Sequence, residues 1–212
     1  MNDKGQLLRQ AQLYCVLDTQ VAGYEKLFDI LDASAIMGVD IFQIRDKAGS
    51  ARAIMEFSSR VIRRLGGKHL FIVNDRLDIA LSSNADGVHV GQDDIPLSHA
   101  RRLAGKNFII GVSCQTLSQA IEAQQQGADY IGFGSVFKTL TKPERSPLDL
   151  KLLTDVKEKL SIPVFPIGGI TCDNIESLLS CGYRRAAVTR AICMAADAAL
   201  AAKRLKEKIN KA

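Results

Sequence analysis

Short apolar runs alternate along this chain with longer stretches in which apolar residues recur at helical spacing. The runs at 13–18, 41–45, 71–73, 88–90, 108–113, 130–134, 163–169 and 186–189 read as strands, mostly apolar as strands covered on both faces are. Between them, Leu27, Leu31 and Ala35 predict a helix ending near Gly38, and Ile54, Phe57, Val61 and Leu65 predict one that stops at Gly66 and Gly67. Shorter helices are predicted over 77–81 and 97–104. Thr116 with Gln119 makes a capping box for a helix running to Gly127, and Asp173 with Glu176 repeats the pattern for one ending at Gly182. Leu150, Leu153, Val156 and Leu160 mark a further helix, and an Ala-rich helix closes the chain. Residues 1–11 read as a polar lead-in helix.

About eight alternations of strand and helix predict an α/β fold, a (β/α)₈ TIM barrel forming a single domain over 1–212. A doubly wound sheet ranks second, because such sheets usually stop at fewer strands. No linker or low-complexity segment divides the chain.

Composition removes several functional classes. No apolar run is long enough to span a bilayer and no cleavable leader is evident, so a cytoplasmic protein without a membrane partner is expected. The five cysteines are scattered without a C-x-x-C pair, which argues against a disulfide framework or structural zinc and for buried thiols in a reducing compartment. The net charge is +5, yet no basic block interleaves with aromatics, so nucleic acid is not an expected partner. A small anionic substrate needs only local positive charge. A homo-oligomer is compatible with all of this. His89 lies inside an apolar strand and reads as a hydrogen-bonded barrel residue, with His69 and His99 peripheral. No Ser/His/Asp or Cys/His grouping supports nucleophilic catalysis.

The candidate chemistry lies at the C-terminal ends of the strands, where barrels hold their active sites. The stretch FIVNDRLDIALSSNADGVHVGQDD (71–94) ends two successive strands in acids, Asn74-Asp75 and Gln92-Asp93-Asp94. Asp75 or Asp94 alone is equally explained as an N-cap, with Pro96 adding a helix-start signal after Asp94. Together, beside a cationic strand, they point to Mg²⁺, which takes one or two carboxylates and completes its shell from phosphate and water. Gln43, Arg45 and Lys47 alternate and so share a side, forming either an anion clamp or an outward solvated rim. Gly168-Gly169 and Thr189-Arg190 follow the seventh and eighth strands, where barrels often bind phosphate through exposed backbone N–H groups; a simple tight turn is the other reading. Lys138, Thr139, Thr141 and Lys142 lie on a long loop, 135–147, placed to close over ligands. Two anion sites, one metal and no evident base point to displacement of pyrophosphate by a second phosphorylated substrate.

These motifs carry a family resemblance. Through QIRDK (43–47), NDRLD (74–78), ADGVHVGQDD (85–94), GVS (111–113), TLTK (139–142), IGGIT (167–171) and AVTRAI (187–192), the chain resembles the thiamine-phosphate synthases along nearly its whole length. The resemblance implies a transferase that couples 4-amino-5-hydroxymethyl-2-methylpyrimidine diphosphate to a thiazole phosphate with release of pyrophosphate, by a dissociative, carbocation mechanism. It further implies one Mg²⁺ per subunit on Asp75 and Asp94. Gln43, Ile44, Arg45, Asp46, Lys47, Asn74, Ser113 and Lys142 would hold the pyrimidine diphosphate, with Arg45, Lys47, Ser113 and Lys142 catalytic. Thr139, Leu140, Thr141, Gly169, Thr189 and Arg190 would hold the thiazole phosphate. Asp93 and Asp78 become secondary.

The chain departs from the family pattern at Gln115, where many members have His, at Lys138 for Pro, at Asp149 for Gly and at Arg190 for Ser. A guanidinium binds phosphate bidentately, so Arg190 preserves binding while changing its strength. Thiazole tautomerases share the barrel but place a working His where Gln115 stands, and they lack the acidic GQ-x-D site. A catalytically silent binder of thiamine precursors would not need Asp75, Asp94, Arg45 and Lys142 together.

Overall fold

The computed structural model describes residues 4–141 and 146–211. Eight strands lie parallel in one sheet: β1 (Leu13–Asp18), β2 (Ile41–Arg45), β3 (Leu70–Asn74), β4 (Gly87–Val90), β5 (Ile109–Cys114), β6 (Tyr130–Phe133), β7 (Val164–Pro166) and β8 (Ala186–Val188). The order β7-β6-β5-β4-β3-β2-β1-β8 brings the two ends together, and a single bridge from Ile167 to Ala187 joins them. The expected (β/α)₈ barrel is therefore present.

The helices follow in alternation: α1 (Lys4–Gln10), α2 (Tyr24–Ala35), α3 (Ala51–Leu65), α4 (Leu77–Ser82), α5 (Leu97–Ala104), α6 (Leu117–Gln125), α7 (Leu150–Lys159), α8 (Ile175–Ser180), α9 (Arg190–Cys193) and α10 (Ala198–Lys211). None among the described residues is long and apolar enough to cross a membrane. The five cysteines are free thiols, three of them buried.

Strand alternation sorts the core into two shells. Leu13, Cys15, Leu17, Phe42, Ile44, Phe71, Val73 and Val88 face outward and pack under Leu27, Leu31, Ile54, Phe57 and Val61 of the helices. Tyr14, Val16, Ile41, Leu70, Ile72, Ile109, Tyr130, Phe165 and Ala187 face inward and fill the barrel. Leu8 of α1 and Ala11 join this inner shell, so the lead-in helix packs onto the interior core with Ile41 and Leu70, at the strands' N-terminal ends.

Local signals account for most element ends. Gly66 stops α3 in the left-handed conformation, and Thr116 and Gln119 form the expected capping box at α6. The Asp173/Glu176 pattern does not cap α8. That helix starts at Ile175, because Asn174 is drawn backward: its Oδ1 accepts from the Thr171 N–H at 2.8 Å and its Nδ2 donates to the Gly169 carbonyl at 2.8 Å. The closing Ala-rich segment is two helices, α9 and α10, the second started by Asp197, whose Oδ1 accepts from the Leu200 N–H.

Candidate active site

Above the inner apolar shell the barrel opens into a cavity of about 290 Å³ at the C-terminal ends of the strands. Its floor is polar. Gln43 Nε2 donates to the Tyr14 hydroxyl at 2.6 Å, and the Tyr14 and Tyr130 hydroxyls bond at 2.9 Å. Tyr130 also bonds His89 Nδ1 at 3.1 Å, and His89 Nε2 bonds Ser113 Oγ at 2.9 Å. His89 is the hydrogen-bonded barrel residue that its strand context predicts. Burial pushes both phenols above their ordinary range, so both keep their protons. Gly111 and Gly132 make room: a Cβ on Gly111 would lie 2.1 Å from Tyr130 Cζ, and one on Gly132 would lie 3.3 Å from His89 Cε1.

One wall carries charge. Gln43 and Arg45 point inward from β2, as their alternation predicts, and Arg45 pairs with the fully buried Asp18 at 2.7 Å and Gln20 Oε1 at 3.1 Å. Asn74 lines the same side. β2 ends at Arg45, and beyond it Lys47 reaches across to Asp75.

Asp75 caps nothing. Its backbone is left-handed at φ 60°, fixed by an N–H bond to the His89 carbonyl at 2.8 Å, and its side chain meets Lys47 and Asp94. Asp94 likewise leaves the start of α5 alone and accepts from the Gly91 N–H at 2.7 Å. Burial, together with the neighbouring Asp94, raises the Asp75 carboxyl above the usual range despite Lys47. Burial opposes ionisation of Asp94 too, but hydrogen bonds from Asp75 and Gly91 hold it below that range. The two carboxyls are thus pushed in opposite directions by lying against each other, in the position a divalent cation would take. Among the described residues no three His, Cys, Asp or Glu gather for a metal, and a hard cation at this pair would need further oxygens from phosphate and water.

The opposite wall is built from the tips of β7 and β8. Gly168 and Gly169 have φ of 103° and 66°, and a Cβ on Gly169 would lie 2.4 Å from the Lys138 carbonyl oxygen. This turn needs glycine twice, for conformation and for space. Thr139, Leu140, Thr141, Thr189 and Arg190 line the cavity beside it. Arg190 gives one guanidinium N–H to Met194 Sδ at 2.9 Å, and its buried Nε has no partner among the described residues. A buried donor of this kind calls for an acceptor.

Lys47, Asp75 and Asp94 do not line the cavity but cluster beyond Arg45 and Asn74, and two further members of the expected set turn away from it. Ile44 points outward into the helical shell. Asp46 turns to its own loop, accepting from the Tyr24 hydroxyl at 2.5 Å and from the Ala48 and Gly49 N–H groups at 3.0 and 2.6 Å. Asp78 pairs with Arg76, and Asp93 is exposed. Lys142 lies outside the described residues. Tyr14 and Tyr130 were missed by sequence reasoning. The only signal was phase, since Tyr14 shares the face of Val16 and Asp18.

The profile of the thiamine monophosphate synthase family matches residues 13–192. A thiamine-phosphate synthase of Moorella thermoacetica is 40% identical over 206 residues, which are 96% of this chain and 98% of that protein. One from Gloeobacter violaceus is 38% identical over 206 residues, but the chain spans only 59% of its length. Among solved structures, a thiamine phosphate pyrophosphorylase from Pyrococcus furiosus superposes with a TM-score of 0.84 at 33% identity, covering 98% of both chains.

Proposed function

This chain belongs to the thiamine monophosphate synthase family of transferases, and from that premise we propose that it joins an aminopyrimidine diphosphate to a thiazole phosphate. The products would be thiamine phosphate and pyrophosphate. The observation that carries this reading is one cavity flanked by two dissimilar anion sites. On one side Arg45 and Asn74 line it, with Lys47 and the acid pair Asp75/Asp94 lying beyond them, outside the lining; on the other stand the Gly168-Gly169 turn, Thr189 and the underemployed Arg190.

In this proposal Arg45, Lys47 and Asn74 grip the diphosphate, and Gln43 and Ser113 take the pyrimidine ring. Asp75 and Asp94 hold Mg²⁺, which when bound neutralises charge on the leaving group. The C–O bond to pyrophosphate breaks first, its electrons leaving with the oxygen, and the electron-rich aminopyrimidine stabilises the exocyclic cation. The thiazole nitrogen lone pair then forms the new C–N bond. No proton leaves either substrate, which suits a site without a dedicated base. Thr139, Thr141, Gly169, Thr189 and Arg190 hold the thiazole phosphate so that its nitrogen faces the cation. Lys142 is assigned to the leaving group from its motif position. In this proposal the reaction runs in the cytoplasm, the compartment that scattered cysteines without a paired motif suit.

The test is direct. The two precursors and Mg²⁺ are mixed with the protein, and thiamine phosphate is sought by mass spectrometry. Both precursors binding without product formation would overturn the proposal in favour of a silent binder.

A further inference from the structure

The five polar side chains of the cavity floor come from five different strands, yet form one continuous line of hydrogen bonds: Gln43, Tyr14, Tyr130, His89, Ser113. Its direction can be worked out from proton counting. A phenol has one proton to give. Gln43 Nε2 donates to the Tyr14 oxygen, and the arrangement that uses every phenol proton of the line within it turns the Tyr14 proton to Tyr130. The Tyr130 proton then turns to His89 Nδ1. A ring nitrogen that accepts carries no hydrogen, so the neutral imidazole holds its own on Nε2 and gives it to Ser113 Oγ. The hydroxyl hydrogen of Ser113 is left over for a ligand. At the other end, Gln43 Oε1 is left to accept.

We propose that Tyr130 is a positioning residue which fixes the polarity of this line, committing Ser113 to donate and Gln43 Oε1 to accept. It acts through Tyr14 and His89 and sits at the centre of the line. Turning the Gln43 amide over reverses every link and makes Ser113 an acceptor, so the two walls change role together. A ring offering an amino donor to Gln43 and an acceptor nitrogen to Ser113 matches the polarity present. The ligand's identity rests on the function proposed above; the polarity does not.

Tyr130→Phe tests this cleanly. It removes one oxygen and keeps the ring that packs on Tyr14, His89 and Phe165 with centroids at 5.9, 5.5 and 5.7 Å. Nitrogen-15 NMR of the histidine rings, recorded above the imidazole titration range with His89 assigned by His89→Gln, reports the tautomer directly. The wild-type ring is expected to carry its hydrogen on Nε2, and Tyr130→Phe is expected to give a mixture. In steady-state assays Tyr130→Phe should raise KM for the pyrimidine diphosphate roughly tenfold, the worth of one committed hydrogen bond, without changing KM for the thiazole phosphate. Tyr14→Phe, which cuts the line one link earlier, should give the same split. An Nδ1–H tautomer in the wild type overturns the proposal, as does an unaltered tautomer or an equal change of both KM values in Tyr130→Phe. If the wild-type protein forms no thiamine phosphate, the functional reading fails while the tautomer still decides the polarity.

Discussion

Asp75 holds a left-handed backbone that aspartate tolerates and glycine prefers. Nothing in the packing of α4 needs its side chain there, since that helix starts without a side-chain cap. The carboxylate is kept for what it meets, Lys47 and Asp94. Asp75→Gly should therefore stay within about 1 kcal/mol of the parent in urea unfolding, because relief of strain and of the carboxylate's desolvation offsets the lost pair with the exposed Lys47. Turnover should fall roughly 100-fold or more. Parent-level turnover would remove Asp75 from the site. Asp46 separates from its neighbours in the opposite sense. Burial alone would raise its carboxyl, but hydrogen bonds from Tyr24, Ala48 and Gly49 bring it below the usual range. A depressed acid stabilises the fold above its unfolded pKa, about 3.9, and that contribution is lost as pH falls through the lower folded value. Asp46→Asn should thus cost about 1–2 kcal/mol at neutral pH, with the difference from the parent vanishing in strong acid. Equal costs at both pH values would show that its charge is idle. The acid pair was legible in the sequence because charges at the ends of apolar strands are conspicuous. Ile44 and Asp46 were not separable from Gln43 and Arg45, because a motif does not say where the strand ends.

At the scale of elements, spacing predicted all eight strands, since each is an apolar run between helical stretches. What spacing does not carry is pairing across the barrel. Tyr14 and Tyr130 are 116 residues apart and meet only because β1 and β6 both turn those positions inward. The start of α8 was misread for a related reason: Asn174 spends its amide on Thr171 and Gly169, leaving none for the helix. Gly111 lies opposite Tyr130 in the β5–β6 register, and a methyl there would meet the ring. Gly111→Ala should cost about 1–3 kcal/mol by overpacking. It should also weaken pyrimidine diphosphate binding in titration calorimetry, because the hydroxyl of Tyr130 would leave His89. A silent methyl would mean that the sheet relaxes more readily than this register suggests.

For the whole molecule, the two ends of the barrel do different work. The inner core at the strands' N-terminal ends is completed by α1, with Leu8 4% exposed, while Arg185 holds the carbonyls of Arg9 and Ala11. Leu8→Ala should cost about 2–3 kcal/mol in unfolding and leave both KM values unchanged, since the cavity lies at the other end. Around the circumference, neighbouring strands are laced by registers of several residues, except at β7 and β8, which share one bridge. A hoop riveted once slackens at the rivet. Amide hydrogen exchange should be quickest along that seam, between Ile167 and Ala187, and slowest near β3 and β4. The tips flanking the seam are the ones proposed to grip the thiazole phosphate, so adding thiazole phosphate should slow exchange there and nowhere else as strongly. On that account the substrate is the last stave of the barrel that binds it.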